Sequence, residues 1–274
     1  SGCCVKKICF IGGGNMASAM VTGLRRAFPV VDCHVVEPNA DARAKLAALG
    51  VTAHAVACRA ALAEADAVVL AVKPQVLREV CAGLVPYLAG ELIVSIAAGT
   101  RSGSISRWLG GHPRVVRTMP NTPALIGQGI TGLYASPAVS EADVATATAL
   151  MQSTGPVVRV DNEAMIDSVT AVSGSGPAYV FHWIESMLAA AQGVGFSAAD
   201  ARTLVLATLK GATALAEASD ESPAVLRERV TSKGGTTAAA LNVINERGVQ
   251  QALIDAVRAA RDRGAELGAL ADGE

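Results

Sequence analysis

The residues with the clearest chemical potential stand near the start of the chain. Ile11-Gly12-Gly13-Gly14-Asn15-Met16-Ala17 carries G-x-G-x-x-A at the end of a short apolar run, Lys7 to Ile11, and at the start of a helical pattern. In such a loop the first glycine makes the tight turn and Gly14 lets the backbone approach a pyrophosphate. Ala17 permits close packing of helix on strand, and the helix N-terminus presents free N–H groups to the anion. The pattern predicts that this loop binds a dinucleotide. A related domain taking another nucleotide, such as S-adenosylmethionine, would share it. Glu37, twenty positions beyond Ala17, stands where an acidic group accepts from the adenosine ribose hydroxyls and repels a 2′-phosphate. Asn39 and Arg43 follow, and either could reach a 2′-phosphate if Glu37 turned away. NADH and NADPH therefore both stay open.

Further candidates lie at the ends of later apolar runs. Ala71-Val72-Lys73-Pro74-Gln75 places Lys73 where it meets a cofactor phosphate or ribose, or else is a solvated surface lysine. Ile96-Ala97-Ala98-Gly99 offers small side chains against which a flat ring can lie. Arg117-Thr118-Met119-Pro120-Asn121-Thr122-Pro123 reads as a loop stiffened by its two prolines. Later, Val230-Thr231-Ser232-Lys233-Gly234-Gly235-Thr236-Thr237 leads into a helical pattern. Two glycines and two hydroxyls at a helix start gather free N–H groups, a positive dipole end and side-chain donors, which suits a substrate carboxylate as well as an ordinary cap. Ser173-Gly174-Ser175-Gly176-Pro177 reads as a helix break with Pro in the next first turn, and it lacks the G-x-S-x-G form of a hydrolase elbow.

The elements that must position these residues follow from hydrophobic periodicity. Lys7–Ile11, Cys33–Val36, Ala67–Val72, Leu92–Ile96 and Val115–Thr118 are continuous apolar runs, the mark of strands buried on both faces. Helical patterns near 15–27, 41–49, 58–64, 75–83 and 103–109 separate them. This alternation predicts an α/β Rossmann-type domain with a parallel, doubly wound sheet. Two more strands are expected at Ile130–Tyr134 and Val157–Val160, around a helix at Glu141–Gln152. Beyond about residue 161 only helical periodicity remains: Asn162–Ala171, Pro177–Gln192, Ala198–Ala218, Pro223–Val230 and Thr236–Ala269, with turns at Ser173–Gly176, Gly193–Ser197, Lys233–Gly235 and Gly248. The expected division is a dinucleotide-binding domain over 1–160 and an all-α substrate and dimerisation domain over 161–274. Leu204 and Leu215 make the Ala198–Ala218 helix apolar on more than one face, as an intersubunit bundle would require.

Composition narrows the classes. Of 274 residues, 23 are Lys or Arg and 24 Asp or Glu, giving a net charge of −1 without a basic run, so nucleic acid is not an expected partner. The longest uncharged stretch, Thr118–Ser140, is broken by prolines and glycines and does not read as a membrane span. Six cysteines, at 3, 4, 9, 33, 58 and 81, lack C-x-x-C spacing and read as reduced core thiols. The four histidines have no i, i+4 pairing, and no metal site is expected. No secretory signal is evident, which makes the cytoplasm the default location.

Taken together, G-G-G-N-M-A at 12–17, A-V-K-P-Q at 71–75, R-T-M-P-N-T-P at 117–123, S-G-S-G-P-A-Y at 173–179 and V-T-S-K-G-G-T-T at 230–237 resemble the pyrroline-5-carboxylate reductase family. The likeness runs in order from about residue 7 to 265; Lys233 departs from the family's usual Pro. The resemblance implies NAD(P)H-dependent reduction of 1-pyrroline-5-carboxylate to proline, the last step of proline synthesis. It implies cofactor contacts at Ile11 to Met16, Ala71, Val72, Lys73, Pro74, Ile96, Ala97 and Ala98. It places substrate among Glu163, Ser232, Gly234, Gly235, Thr236 and Thr237, with Thr237 hydrogen-bonded to the ring nitrogen as the catalytic residue. It also implies a homodimer with interlocked helical domains, open to assembly into a larger ring, a decamer. The β-hydroxyacid dehydrogenases share the general plan but use a helical Lys with Asn four residues on, whereas Lys210 is followed at that spacing by Ala214. A non-catalytic dinucleotide-binding module is the remaining alternative.

Overall fold

The computed structural model describes residues 4–273, so Cys3 lies outside the described residues. By packing, the chain forms two compact units: one runs to Pro177 and takes in the chain from Ala260 onward, and the other is Ala178–Ala259.

In the first unit the strands are β1 (Lys7–Ile11), β2 (Asp32–Val36), β3 (Thr52–His54), β4 (Ala67–Leu70), β5 (Ile93–Ser95), β6 (Val115–Met119), β7 (Thr131–Ala135) and β8 (Val157–Arg159). They form one sheet in the order β3-β2-β1-β4-β5-β6-β7-β8. The helices between them are α1 (Asn15–Ala27), α2 (Ala40–Ala48), α3 (Arg59–Leu62), α4 (Pro74–Leu84), α5 (Ser102–Trp108) and α6 (Glu141–Gln152), followed by α7 (Ala164–Val169). Because strand side chains alternate, the sheet buries two separate cores. Ile8, Phe10, Val35, Val69 and Val94 pack on one face against α1, α2 and α6. Cys9, Ile11, Val68, Leu70 and Ile93 pack on the other against α3, α4 and α5. This is the doubly wound arrangement expected from the alternation of strands and helices.

Three features depart from the sequence-based expectation. β3 was not foreseen: it is a three-residue edge strand without a β-branched run. β7 pairs antiparallel with β6, although β8 is parallel to β7. Only a 3₁₀ turn at Thr122–Ile126 joins β6 to β7, too little for the crossover that a parallel neighbour needs, whereas α6 supplies one before β8. Third, the break expected at Ser173–Gly176 narrows to a bend at Ser175, after which α8 (Gly176–Gly193) starts with Pro177 in its first turn as expected. A π-turn at Thr170–Gly174 carries the chain from α7 to that bend.

Side-chain pairing adds two findings. His34 and His54 stack at 5.4 Å and share a 3.0 Å hydrogen bond across β2 and β3, a pairing invisible to an i, i+4 test. Burial together with the neighbouring His34 lowers the His54 pKa. Cys9, Cys33 and Cys81 are buried, and burial pushes their thiols up to about 12, 11 and 12, but Cys4 is exposed and Cys58 half-buried, so not every thiol is a core thiol. Among the described residues no group of three or more His, Cys, Asp or Glu is placed to hold a metal ion. No described helix is long and apolar enough to cross a membrane.

The second unit is built on α8, α9 (Ala198–Ala218), α10 (Pro223–Arg229), α11 (Thr236–Glu246) and the first part of α12 (Val249–Asp272). Serine caps set its helix starts: Ser197 Oγ accepts from Asp200 N at 3.1 Å and Ser222 Oγ from Val225 N at 3.3 Å. Its only buried apolar side chains are Ala201 and Val205, while Phe181, Trp183, Phe196, Leu204, Leu215 and Leu253 are exposed.

Candidate functional site

The first unit gathers most of the expected dinucleotide residues at the C-terminal ends of the central strands, where the strand order reverses between β1 and β4. Gly12 has φ +102°, and a Cβ there would fall 2.6 Å from the Ala71 carbonyl oxygen. Only glycine turns the chain this closely over β4. Gly12 N donates to Val36 O at 2.9 Å, Ala71 N to Ile11 O at 2.8 Å, and Ile96 N to Leu70 O at 3.1 Å, so the loops after β1, β4 and β5 are tied to neighbouring strand ends.

Gly14 is the N-cap of α1. It has no side chain to cap the helix, and a Cβ placed on it would meet nothing within 4 Å. The N–H groups of the first turn, at Asn15 and Met16, have no intrahelical partner by geometry. Open space above an uncapped helix start fits a pyrophosphate. Ala97 is buried and Ala98 exposed, with Ala97 N donating to Ser95 Oγ at 3.2 Å. Lys73 is an exposed residue at the N-cap of α4, with Pro74 in the first turn.

Glu37 is not turned away. Its Oε1 accepts from Gly13 N at 3.1 Å and its Oε2 from Asn39 N at 3.0 Å. Asn39 is occupied as the N-cap of α2, its Oδ1 accepting from Ala42 N at 2.9 Å. Arg43 Nη1 donates to the carbonyls of Glu37 and Pro38 at 2.9 and 2.7 Å.

A cavity of about 410 Å³ opens beside the ends of β4 and β5, lined among others by Pro74, Ala98, Thr100, Asp167, Thr170 and Leu267. Charged residues of the same unit pair with one another. Arg117, expected where the Val115–Thr118 strand meets the Pro-rich loop, lies inside β6 and is 2% exposed. Its Nη1 lies 3.9 Å from Glu163 Oε1, and its buried Nε has no hydrogen-bond partner. Burial works to lower its pKa, and the Glu163 and Asp167 carboxylates oppose that; a guanidinium keeps its charge. Glu163 in turn accepts from Ser102 N at 2.8 Å and from Ser102 Oγ at 2.8 Å. Arg101 pairs with Asp272 at 2.5 Å. The one sequence sign of this network was an arginine within an otherwise apolar strand.

In the second unit the 230–237 segment forms a cradle of its own. Gly235 N donates to Ser232 O at 3.0 Å across a β-turn in which Gly234 has φ +70° and Lys233 does not lie at positive φ, the pattern of a type II turn. The proline usual in the family would suit the second place of that turn, and Lys233 keeps the backbone without the ring. Gly235 caps α11 without a side-chain bond, and the first intrahelical bond is Ala239 N to Gly235 O at 3.2 Å. The N–H groups at 236–238 are thus unpaired within the helix. Ser232 and Thr236 are exposed and Thr237 half-buried beside them. In the same unit Glu221 pairs with Arg229 through one oxygen, and its other, buried oxygen has no partner.

Comparison with known proteins completes the assignment. Residues 163–267 match the family model described as pyrroline-5-carboxylate reductase dimerisation, and residues 7–99 match one described as NADP oxidoreductase coenzyme F420-dependent. The chain is 45% identical to the pyrroline-5-carboxylate reductase of Pseudomonas aeruginosa, over 95% of this chain and 96% of that one. Among solved structures, it matches a pyrroline-5-carboxylate reductase from Coxiella burnetii at 36% identity and a TM-score of 0.89, covering 96% of this chain and 98% of that one. It also matches the Plasmodium falciparum pyrroline carboxylate reductase with NADP bound, at 28% identity and a TM-score of 0.84, covering 98% and 100%. With its strand-end glycine loop, its helical region matched by the dimerisation model and this near full-length likeness, the chain belongs to the pyrroline-5-carboxylate reductase family.

Proposed function

We propose that this protein reduces 1-pyrroline-5-carboxylate to L-proline, taking hydride from NADH or NADPH. The observation that carries the reading is a pair of helix starts, at Gly14 and Gly235, each opened by glycine and left without a side-chain cap. Two anion sites of this kind suit a dinucleotide pyrophosphate and a small carboxylate. When bound, the nicotinamide supplies the hydride. The protein's own work is orientation, since a cyclic imine protonated at nitrogen accepts hydride without a metal or a covalent nucleophile.

In this proposal residues 1–160 take the dinucleotide through Ile11 to Met16, Glu37, Asn39, Ala71 to Pro74 and Ile96 to Ala98. Residues 161–274 take the substrate and form the dimer. The backbone at 234–237 with Ser232 holds the carboxylate, and the Thr237 hydroxyl accepts from the ring N–H. Glu163 contributes a carboxylate whose Oε2 retains acceptor capacity beyond Ser102. The dimerisation match supports pairing of two copies through the helices, and a decameric ring is the larger assembly we propose. Free thiols fit a cytoplasmic setting.

The decisive measurement follows loss of reduced-nicotinamide absorbance on adding pyrroline-5-carboxylate. Thr237→Ala should lower kcat by about 10- to 100-fold, the worth of one hydrogen bond to a charged group. Affinity for the dinucleotide should stay unchanged, and an unaltered kcat would remove Thr237 from the chemistry.

A further inference from the structure

The same loop that suits a pyrophosphate also bears on which dinucleotide it takes. Glu37 follows the last residue of β2 and is held from three sides. Its N–H donates to His54 O at 2.9 Å, at the end of β3. Its carboxylate receives Gly13 N–H on one oxygen and Asn39 N–H on the other, at 3.1 and 3.0 Å. A Cβ on Gly13 would fall 3.2 Å from Glu37 Cγ, so the side chain lies directly against the phosphate loop. The carboxylate is therefore part of the loop's construction and not a mobile surface group.

An ionised carboxylate offers about four acceptor sites, and the two N–H groups use one on each oxygen. What remains can accept two hydroxyl protons. An adenosine ribose with free 2′- and 3′-hydroxyls supplies them; a 2′-phosphate supplies none at neutral pH and brings close to two negative charges toward a fixed third. The nearby cation, Arg43, is tethered by Nη1 to the carbonyls of Glu37 and Pro38, so its charge and its remaining N–H donors are offered to a 2′-phosphate only beside the fixed Glu37 carboxylate. Asn39, the other candidate, is anchored through its Oδ1 as a helix cap, and its neutral Nδ2 donors bring no charge to offset the repulsion.

We infer that Glu37 makes this protein select dinucleotides bearing a free adenosine 2′-hydroxyl, so that NADH and not NADPH is its working reductant. The inference rests on the dinucleotide reading of the loop and is independent of the identity of the imine. Calorimetric titration of the full-length protein with ADP-ribose and with 2′-phospho-ADP-ribose isolates the adenosine end and needs no turnover. ADP-ribose should bind about 10- to 100-fold more tightly, the value of one hydrogen bond to a charged acceptor. Glu37→Ser, which removes the charge and opens space, should collapse most of that ratio.

Equal binding, or tighter binding of the 2′-phosphate, in the unaltered protein overturns the inference, as does an unchanged ratio in Glu37→Ser. Should that variant fail to fold, the ratio in the unaltered protein decides alone. Binding of neither probe overturns the dinucleotide reading and this inference with it. Selective binding of ADP-ribose in a protein that does not reduce pyrroline-5-carboxylate would sink the substrate assignment and leave the role of Glu37 standing.

Discussion

The two compact units solve the burial problem in opposite ways. The first lays apolar strands between two layers of helices, and Phe10, Ile8, Leu70 and Leu77 have essentially no exposed surface. The second, with helices of 21 and 24 residues contributing to it, buries only Ala201 and Val205 while leaving Phe181, Trp183, Leu204 and Leu215 in the open. Helices gain most of their stability from packing an apolar face. A sheet covered on both sides supplies that packing from its own chain. The helical unit does not, and the match of residues 163–267 to a dimerisation model supports oligomerisation.

This contrast can be broken by experiment. Leu215 is 61% exposed in the single chain. Leu215→Asp should weaken dimer formation by about 3–6 kcal/mol, because a two-fold interface counts the lost burial of each leucine twice. Sedimentation over a concentration series reads this directly. The same change at Val30, 92% exposed in the sheet unit, should leave assembly as it was, and equal effects at both positions would erase the distinction. Next in size, Leu70→Ala in the sheet core should cost about 2–5 kcal/mol in urea unfolding without altering the oligomeric state at neutral conditions. A change in sedimentation there would mean that the sheet unit also depends on its partner.

The smallest expected effect sharpens the picture within the helical unit. Lys233→Pro restores the ring that a type II turn favours at its second place, and it should stabilise by about 0.4–1 kcal/mol by restricting the unfolded chain. A lowered melting temperature would mean that the Ser232–Gly235 turn is of another kind.

Features governed by near neighbours in sequence were legible before the structure. The α6 and α9 spans, Glu141–Gln152 and Ala198–Ala218, agree to the residue because Ser140 and Ser197 are caps whose partners lie three positions on. The phosphate loop is equally local: a strand, three glycines and a helix start. The direction of β7 depends on how much chain connects it to β6. The helical course through Ser173 and Gly174 depends on an alternative hydrogen-bond pattern that glycine content conceals. Arg117, Glu163 and Ser102 meet only because β6, α7 and α5 converge, and nothing in their spacing announces it. The commitments of Glu37 and Arg43 likewise needed coordinates, since the same residue types would serve either cofactor.

The placement of sulfur turns the contrast between the units into a clock. Every cysteine of the chain precedes residue 82. Cys9, Cys33 and Cys81 are sealed in the sheet unit as protonated thiols, and Cys4 stands in the open. An alkylating reagent will therefore mark Cys4 at once, and the three sealed thiols only when the sheet opens, since the thiolate is the reactive form. The helical unit, having no sulfhydryl, stays silent throughout, so mass spectrometry of the labelled chain times the unfolding of one unit without interference from the other.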